Sequence, residues 1–113
     1  MIDEEGIRAI ITQYEKFSWR LRRALLTSEL RDRLGSSLTG LFGNAEIIDS
    51  DLDAAWFSRP SKGKSIAWEL RRLDEFPFAL VEVVDIDSLE LTEVFERLED
   101  DMRNRVRPRS QGN

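Results

Sequence analysis

Residues 78–102 read FALVEVVDIDSLELTEVFERLEDDM, and the periodicity of this stretch changes half-way along. Its first part, Phe78 to Val84, is apolar and rich in β-branched residues, which predicts a central strand. Its second part carries an apolar stripe at helical spacing, made of Leu91, Val94, Phe95, Leu98 and Met102. This stripe predicts an amphipathic helix, and Asp87 and Glu90 have the spacing of a capping box at its start. We therefore expect a C-terminal helix packed on one face of a sheet.

The N-terminal region also carries a helical stripe. Between residues 4 and 26, apolar side chains recur at steps of three and four, at Ile7, Ile10, Ile11, Tyr14, Phe17, Leu21 and Leu25. This spacing predicts a long helix. Continued to residue 34 it would measure about 46 Å, longer than a domain of this size is wide. We therefore expect a break near Thr27, which suits a new helix N-cap, and a second helix end at Gly35.

The middle of the chain predicts loops and short strands. Residues 35–44 hold three of the six glycines and no charge, which predicts a loop. We expect it to be anchored to the core by Leu38, Leu41 and Phe42. Short strands are expected at residues 45–48 and 54–58.

A basic turn at residues 59–64 precedes a stretch with two possible interpretations. Residues 66–70 alternate apolar and polar side chains, which is typical of a half-buried strand. A helix through Ile66, Leu70 and Leu73 also fits the same residues. We favour the strand, because Pro77 soon afterwards leaves room for a meander turn.

The length of the chain, 113 residues, and its 41% hydrophobic content suffice for one packed domain. We place this domain at residues 1–104 and expect a flexible basic tail at residues 105–113, which shows no periodicity. The predicted fold class is α+β. It comprises the long N-terminal helix, a three- to four-stranded antiparallel meander and the C-terminal helix.

The formal net charge of −5 conceals blocks of opposite sign. Residues 59–72 carry +4, whereas residues 73–101 carry −10. An acidic balance argues against binding to phosphate backbones, so we expect no nucleic-acid partner. Complementary blocks can steer association with a protein partner, although a solvated face is the ordinary interpretation of a charge run.

Histidine and cysteine are both absent from the sequence. Their absence removes the usual general base, the Ser-His and Cys-His nucleophile pairs, and cysteine-ligated metals. Gly63-Lys64-Ser65 copies the end of a phosphate-binding loop, but Ser58 stands where the loop must open with glycine. We therefore predict no catalytic residue and no cofactor.

A run of alternate aspartates, Asp49, Asp51 and Asp53, has the spacing found at the start of calcium-binding loops. The remainder of that pattern is missing, because Ala54 and Pro60 occupy the positions that need glycine and a bidentate glutamate. We therefore predict polar positions around a turn and no metal site.

The leading functional hypothesis is a small acidic, non-catalytic protein-binding module, such as an inhibitor, an immunity-type protein or a chaperone-like adaptor. It would act through one face of the sheet or through the acidic C-terminal helix. The residues expected to contact the partner are Glu93, Glu96, Asp100, Trp56, Trp68, Arg59, Lys62 and Lys64. For Trp56 and Trp68 the apolar alternation around them predicts packing on the sheet core, with an exposed binding hot spot as the alternative.

The alternative is a small-ligand-binding domain or a carboxylate-based enzyme with a pocket between helix 1 and the sheet. Glu82 is its best candidate, because it interrupts an apolar strand. The structural interpretation of Glu82 is a buried ion pair with Arg71 or Arg72. A deep pocket lined by Glu82, Arg71 and Trp68 would favour the alternative.

Two expectations concern assembly and location. Six apolar positions of helix 1 fit three heptads and predict a homodimer seam: Ile7, Ile10, Tyr14, Phe17, Leu21 and Ala24. The competing use of this stripe is to cover the sheet of a monomer. The acidic residues Asp3 to Glu5 and the lack of a long apolar run predict a soluble, cytoplasmic protein with no membrane partner.

Overall fold

The computed structural model describes residues 2–74, 78–87 and 90–106, which form a five-stranded mixed sheet between two helical layers. The helices are α1 (Glu4–Lys16), α2 (Ser28–Leu34), α3 (Leu38–Phe42) and α4 (Leu91–Val106), with a 3-10 turn at Gly35–Ser37. The strands are β1 (Arg20–Leu26), β2 (Glu46–Asp49), β3 (Ala54–Pro60), β4 (Ser65–Arg72) and β5 (Ala79–Asp85). Their spatial order is β2-β1-β3-β4-β5, and only the β1–β2 pair is parallel. The predicted α+β class is confirmed.

The sheet has a hydrophobic core on each face. On the α1 face, α1, α2 and α3 pack with buried side chains that include Ile7, Ile11, Leu26, Leu30, Phe42 and Phe57. On the α4 face, the core includes Leu25, Trp56, Trp68, Leu70, Val94, Leu98 and Met102. The apolar stripe predicted for the C-terminal helix is therefore the surface by which α4 packs on the sheet.

Helix α1 ends at Lys16, ten residues before the predicted end. Ser18 adopts a left-handed conformation with φ 72°. The backbone N–H of Ser18 donates to the carbonyl of Glu15, and that of Trp19 donates to the carbonyl of Tyr14, both at 3.1 Å. This pair of bonds is the Schellman arrangement that closes a helix C-terminus. The prediction of helix over residues 17–26 is therefore wrong.

The apolar residues of strand β1 have a spacing like that of a helix because the strand contains a β-bulge. The register against β3 shifts between Leu21 and Arg23, so the extra residue, Arg22, changes which side chains share a face. Leu21 and Ala24 both contact the core of the α1 face, at a spacing of three instead of two. A bulge of this kind inserts one residue into the strand and displaces the alternation. The three-residue step that predicted a helix therefore belongs to a bulged strand.

The predicted dimer seam depended on that longer helix. Leu21 and Ala24 lie on β1, and Ile7 is buried against the sheet. A seam of three heptads along helix 1 does not exist in this fold. The stripe of α1 covers the sheet instead.

Helix α2 begins and ends where the sequence indicates. The side chain of Thr27 accepts a hydrogen bond from the N–H of Leu30, and Gly35 follows the last helical residue. Asp53 holds this cap in place by accepting from the backbone N–H of Thr27 at 2.7 Å. The loop predicted at residues 35–44 contains α3 instead, but its Leu41 and Phe42 are buried as expected.

The strands after α3 follow the prediction more closely. β2 and β3 cover the two short predicted strands, and the strand interpretation of residues 66–70 is confirmed by β4. β3, β4 and β5 form an antiparallel meander. The prediction of a strand over residues 78–84 is confirmed by β5, but its central position is wrong, because β5 lies at one edge of the sheet that the described residues form.

The end of the chain is helical as far as Val106, so α4 includes the first two residues of the predicted tail. Residues 107–113 lie outside the described residues, as do residues 88–89 in the predicted capping segment. In the described ranges, no helix is long and apolar enough to span a membrane.

Candidate functional site

The candidate site begins with the outer edge of β5. In the part of the chain that the structure describes, β5 has β4 as its single neighbouring strand. The N–H of Arg72 donates to the carbonyl of Phe78, and the N–H of Ile86 donates to that of Lys64. Because backbone groups alternate in direction along an antiparallel strand, the even-numbered residues of β5 bond to β4. The N–H and C=O groups of the odd-numbered residues, at positions 79, 81, 83 and 85, therefore point away from the sheet.

The two faces of β5 differ in their surroundings. On the α1 face, Val81 and Val83 are 54% and 56% exposed, because the helical layer there packs over β1 and β3. On the α4 face, Leu80 and Val84 contact the core that α4 covers. An exposed strand with apolar side chains and an unpaired backbone edge is a template for pairing with another strand.

A groove of about 600 Å³ lies between β5 and the first turns of α4, and we call it the β5 groove. Its rim holds four carboxylates, from Glu82, Asp85, Asp87 and Glu90. Val84 and Val94 contribute apolar surface to the same groove. One arginine, Arg97, is present among these carboxylates, so the groove is acidic.

Glu82 does not form the predicted ion pair. Its carboxylate bonds to Arg97 of α4, at 3.1 Å from Nη2, instead of to Arg71 or Arg72. Arg72 pairs with Asp74 at 3.2 Å. Arg71 lies opposite Ala79 of β5, and its side chain is on the α1 face of the sheet. The side chain of Glu82 is on the α4 face. Alternation along β4 and β5 therefore separates Arg71 from Glu82, so Glu82, Arg71 and Trp68 do not line one pocket, the arrangement that would have favoured the alternative hypothesis.

Trp56 and Trp68 are core residues. Trp56 is 0% and Trp68 6% exposed, and both rings contact Phe95 of α4. The indole N–H of Trp56 donates to Glu99 at 2.8 Å, which satisfies its buried polar group. The prediction that both tryptophans pack on the sheet core is confirmed, and the alternative of an exposed contact with a partner is wrong.

The three predicted basic residues are not all remote from the β5 groove, because the carbonyl of Lys64 accepts from Ile86, which lies between the groove residues Asp85 and Asp87. Arg59 donates to the carbonyl of Phe17 at 3.0 Å and lies over the ring of Trp19 on the α1 face. Lys62 and Lys64 are exposed in the hairpin between β3 and β4.

The predicted acidic residues of α4 are exposed, and they share the helix face opposite the buried stripe, because Glu93, Glu96 and Asp100 follow one another at steps of three and four. Glu93 lies one turn from Glu90 and from Arg97, on the side of the β5 groove. Glu96 also lines a separate cavity, between α4 and β1. Asp100 is paired with Arg103.

The alternate aspartates have three separate roles. Asp49 pairs with Arg31, Asp53 caps α2 through Thr27, and Asp51 bonds to Arg103 of α4 at 2.7 Å. The guanidinium of Arg103 lowers the pKa of Asp51. Across residues 2–74, 78–87 and 90–106, no cluster of three or more acidic residues is placed to hold a metal ion.

Space also exists between α1 and the sheet, where the alternative hypothesis expected a ligand pocket. A cavity of about 580 Å³ is bounded by α1, β1 and the end of α3. Its charged lining residues are Arg8, Glu15, Arg20 and Arg22, and it includes neither Glu82 nor Arg71. The residues proposed for carboxylate chemistry are therefore absent from it.

No match to a known protein family, to a curated protein or to a solved structure was found for this chain. The site is accordingly described from its own geometry. Sequence reasoning did not identify the β5 edge, although one signal was present. Glu82 and Asp85 put charges on an otherwise apolar strand, a pattern typical of edge strands.

Proposed function

We propose that the protein is a non-catalytic protein-binding module that accepts an extended segment of its partner as a sixth strand along β5. One observation carries this proposal: the outward backbone groups of Val81 and Val83 lie beside the acidic β5 groove. Strand addition at a sheet edge gains affinity from main-chain hydrogen bonds and specificity from the flanking side chains. Inhibitors, immunity-type proteins and adaptor chaperones are the functional classes that we retain.

The surroundings of β5 specify the chemistry of the partner. Side chains of an added strand alternate between the two faces of the sheet. Those on the α1 face would pack beside Val81 and Val83, and those on the α4 face would meet the carboxylates of the groove. We therefore infer a partner segment in which apolar residues alternate with lysine or arginine.

Charge favours such a partner over a second copy of this chain. Residues 79–87 contain Glu82, Asp85 and Asp87 and no basic residue. Two β5 strands side by side would bring like charges together, which is destabilising in cross-strand pairs. A basic segment gains attraction from the same carboxylates, and rim charges of this kind mainly raise the association rate. We keep the cytoplasm as the proposed compartment, in agreement with the absence of cysteine.

A seven-residue peptide provides a direct test. Acetyl-Val-Lys-Val-Lys-Val-Lys-Val-amide has the inferred alternation, and the same peptide with glutamate in place of lysine is its matched control. We expect calorimetric titration to show binding of the lysine peptide that weakens as salt is added, and no binding of the glutamate peptide. Equal binding of both peptides, or binding of neither, would contradict the proposal.

Variants of Val83 distinguish strand pairing from simple charge attraction. Val83→Pro removes an outward N–H that makes no bond to β4, so the sheet itself should retain its ladder. We expect this variant to bind the lysine peptide about tenfold or more weakly, whereas Val83→Thr, which keeps the N–H, should bind normally. An affinity unchanged by Val83→Pro would rule out strand addition at β5.

The sides of α4 provide a second matched pair. Glu90→Lys places a positive charge in the β5 groove, whereas Glu96→Lys makes the same charge change beside the separate cavity between α4 and β1. We expect the first variant to weaken peptide binding more than the second. A larger effect of Glu96→Lys would move the binding surface away from β5.

A further inference from the structure

Phe17 is the one exposed aromatic side chain among the residues that the structure describes, and it is 57% exposed. It follows the last residue of α1, close to the start of β1 and the end of β3. Aromatic side chains carry large apolar areas, and this chain encloses others of that kind, such as Trp56 and Phe57. The exposed ring of Phe17 therefore requires an explanation other than core packing.

Hydrogen bonds hold the backbone of Phe17 on both sides. Its N–H donates to the carbonyl of Tyr14 at 3.0 Å, and its carbonyl accepts from Nη1 of Arg59 at 3.0 Å. The guanidinium carbon of Arg59 lies 4.6 Å from the ring centroid of Trp19. The left-handed conformation of Ser18 follows directly. A residue that is held in place before binding loses less conformational entropy on binding, which favours affinity.

Three cations without carboxylate partners surround this ring. Lys16 precedes Phe17, Arg59 bonds to its carbonyl, and Arg20 lies opposite Ser58, the neighbour of Arg59. Across residues 2–74, 78–87 and 90–106, none of these three cations pairs with an acidic side chain, whereas all three arginines of α4 do. We call Phe17 and the three cations the Phe17 surface. This surface is basic in a chain whose net charge is −5.

We propose that the Phe17 surface docks an acidic segment of a protein partner, with an apolar side chain of that segment against the Phe17 ring. Complementary charges raise the association rate and the specificity of an interface. An aromatic ring among arginines also has the composition of a binding hot spot. Strand β4 lies between Arg59 on β3 and the edge strand β5. The proposed contact is therefore additional to strand addition at β5.

The end of α1 does not oppose an acidic segment. A helix C-terminus carries partial negative charge on its last carbonyls. Here the carbonyls of Tyr14 and Glu15 accept capping bonds, and that of Phe17 accepts from the cation of Arg59. Residues 16–28 contain no Asp or Glu, so the nearest acidic side chain in the sequence is that of Glu15. Its single charge is outnumbered by the three cations.

Two features favour a protein segment over a nucleic acid. The net charge of −5 repels a phosphate backbone, which binds mainly to basic domains. Single-stranded nucleic acids also stack successive bases on several aromatic rings, whereas the Phe17 surface offers one exposed ring.

Three probes test the chemistry of the partner. Acetyl-Glu-Asp-Glu-Leu-Glu-Asp-Glu-amide carries one apolar side chain among carboxylates, and the same peptide with glutamine and asparagine is its uncharged control. The third probe is a uridine hexanucleotide. We expect calorimetric titration to show binding of the acidic peptide that weakens as salt is added, with the uncharged peptide about tenfold or more weaker. No binding of the acidic peptide, or equal binding of its control, would overturn the proposal. Tighter binding of the hexanucleotide would overturn the assigned class of partner.

Two matched pairs of variants locate the binding. Phe17→Ser removes the exposed ring, and Ile86→Ser removes an apolar side chain that is 58% exposed beyond β5. Arg20→Gln removes a cation of the Phe17 surface, and Arg105→Gln makes the same charge change on α4. We expect Phe17→Ser to weaken acidic-peptide binding about tenfold or more and Arg20→Gln about threefold or more, with both controls unchanged. Equal losses in the controls would place the peptide elsewhere. Should Phe17→Ser lower the stability of the fold, Arg20→Gln still decides.

Sedimentation at low salt tests whether a second copy of this chain is the occupant. Asp100 and Asp101 of α4 pair with arginines of the same helix, which reduces the attraction of that acidic face for a second Phe17 surface. We expect both the wild type and Phe17→Ser to sediment as single chains. A dimer of the wild type that is lost in Phe17→Ser would assign the surface to self-association and overturn the proposal.

Discussion

Tyr14 joins α1 to the sheet by two separate contacts. Its ring stacks on Phe57 with centroids 4.0 Å apart, and its hydroxyl donates to the carboxylate of Glu69. Burial, reinforced by Glu69, raises the pKa of the Tyr14 hydroxyl. We expect Tyr14→Phe to keep the stacking, lose the hydrogen bond and cost about 1–2 kcal/mol of unfolding free energy, measured with urea.

The same residue predicts a dependence on alkaline pH. A folded pKa above the unfolded value gives stability that is complete below about pH 10, where tyrosine ionises in an unfolded chain. That stability is then lost as the pH rises toward the folded pKa. The difference in unfolding free energy between the wild type and Tyr14→Phe should therefore shrink above about pH 10. A difference that is constant through the alkaline range would refute this account of the Tyr14–Glu69 bond.

Ser18 carries the backbone conformation that ends α1. A left-handed φ costs about 1–2 kcal/mol for a residue with a Cβ and almost nothing for glycine. Ser18→Gly should therefore stabilise the fold by up to about 1 kcal/mol, whereas Ser18→Val should destabilise it. Urea denaturation of both variants checks this, and a destabilised Ser18→Gly would contradict the role given to Ser18.

At the scale of elements, the apolar stripe of α4 packs this helix on the sheet. Met102 of α4 is fully buried against the sheet, whereas the Arg97–Glu82 bond at the side of the helix is partly exposed to solvent. We expect Met102→Ala to cost about 2–5 kcal/mol and Arg97→Gln at most about 1 kcal/mol. Thermal and urea unfolding measure both losses, and a larger loss for Arg97→Gln would mean that charge, not apolar packing, holds α4.

The elements also show what the sequence could predict. The stripe of α4 and the Thr27 cap depend on side chains a few residues apart, so local patterns sufficed. The end of α1 depends on Ser18, a residue type that gives no strong stop signal, and the bulge at Arg22 gave β1 a helical spacing. The edge position of β5 depends on where β1 pairs, and the local signal for it was limited to the charges of Glu82 and Asp85 within an apolar run.

The candidate site was likewise predicted from the sequence only in part. The acidity of residues 73–101 was visible in the composition, and it contributes the rim of the β5 groove. The alternation around Trp56 and Trp68 predicted that both pack on the sheet core, but it did not show that Phe95 of α4 covers them, because that contact joins elements far apart in the sequence. Pairing of Glu82 with Arg97 arises from helix docking, which joins residues from separate elements.

The whole molecule has an uneven sheet, with helices over β1 and β3 on the α1 face and an open valine surface at β5. The carboxylates of residues 79–87 oppose pairing of two such edges. We therefore expect sedimentation at low salt to give a single species of 13.1 kDa. A stable two-chain species under these conditions would show that the charge on β5 does not prevent self-pairing.

Amide hydrogen exchange of β5, followed by NMR with and without the lysine peptide, tests the central claim most directly. The amides of Val81 and Val83 point away from β4, whereas the amide of Val84 already bonds within the sheet. Strand addition predicts that the peptide slows exchange at Val81 and Val83 and leaves Val84 nearly unchanged. Unaltered exchange at Val81 and Val83 in the presence of bound peptide would contradict the account.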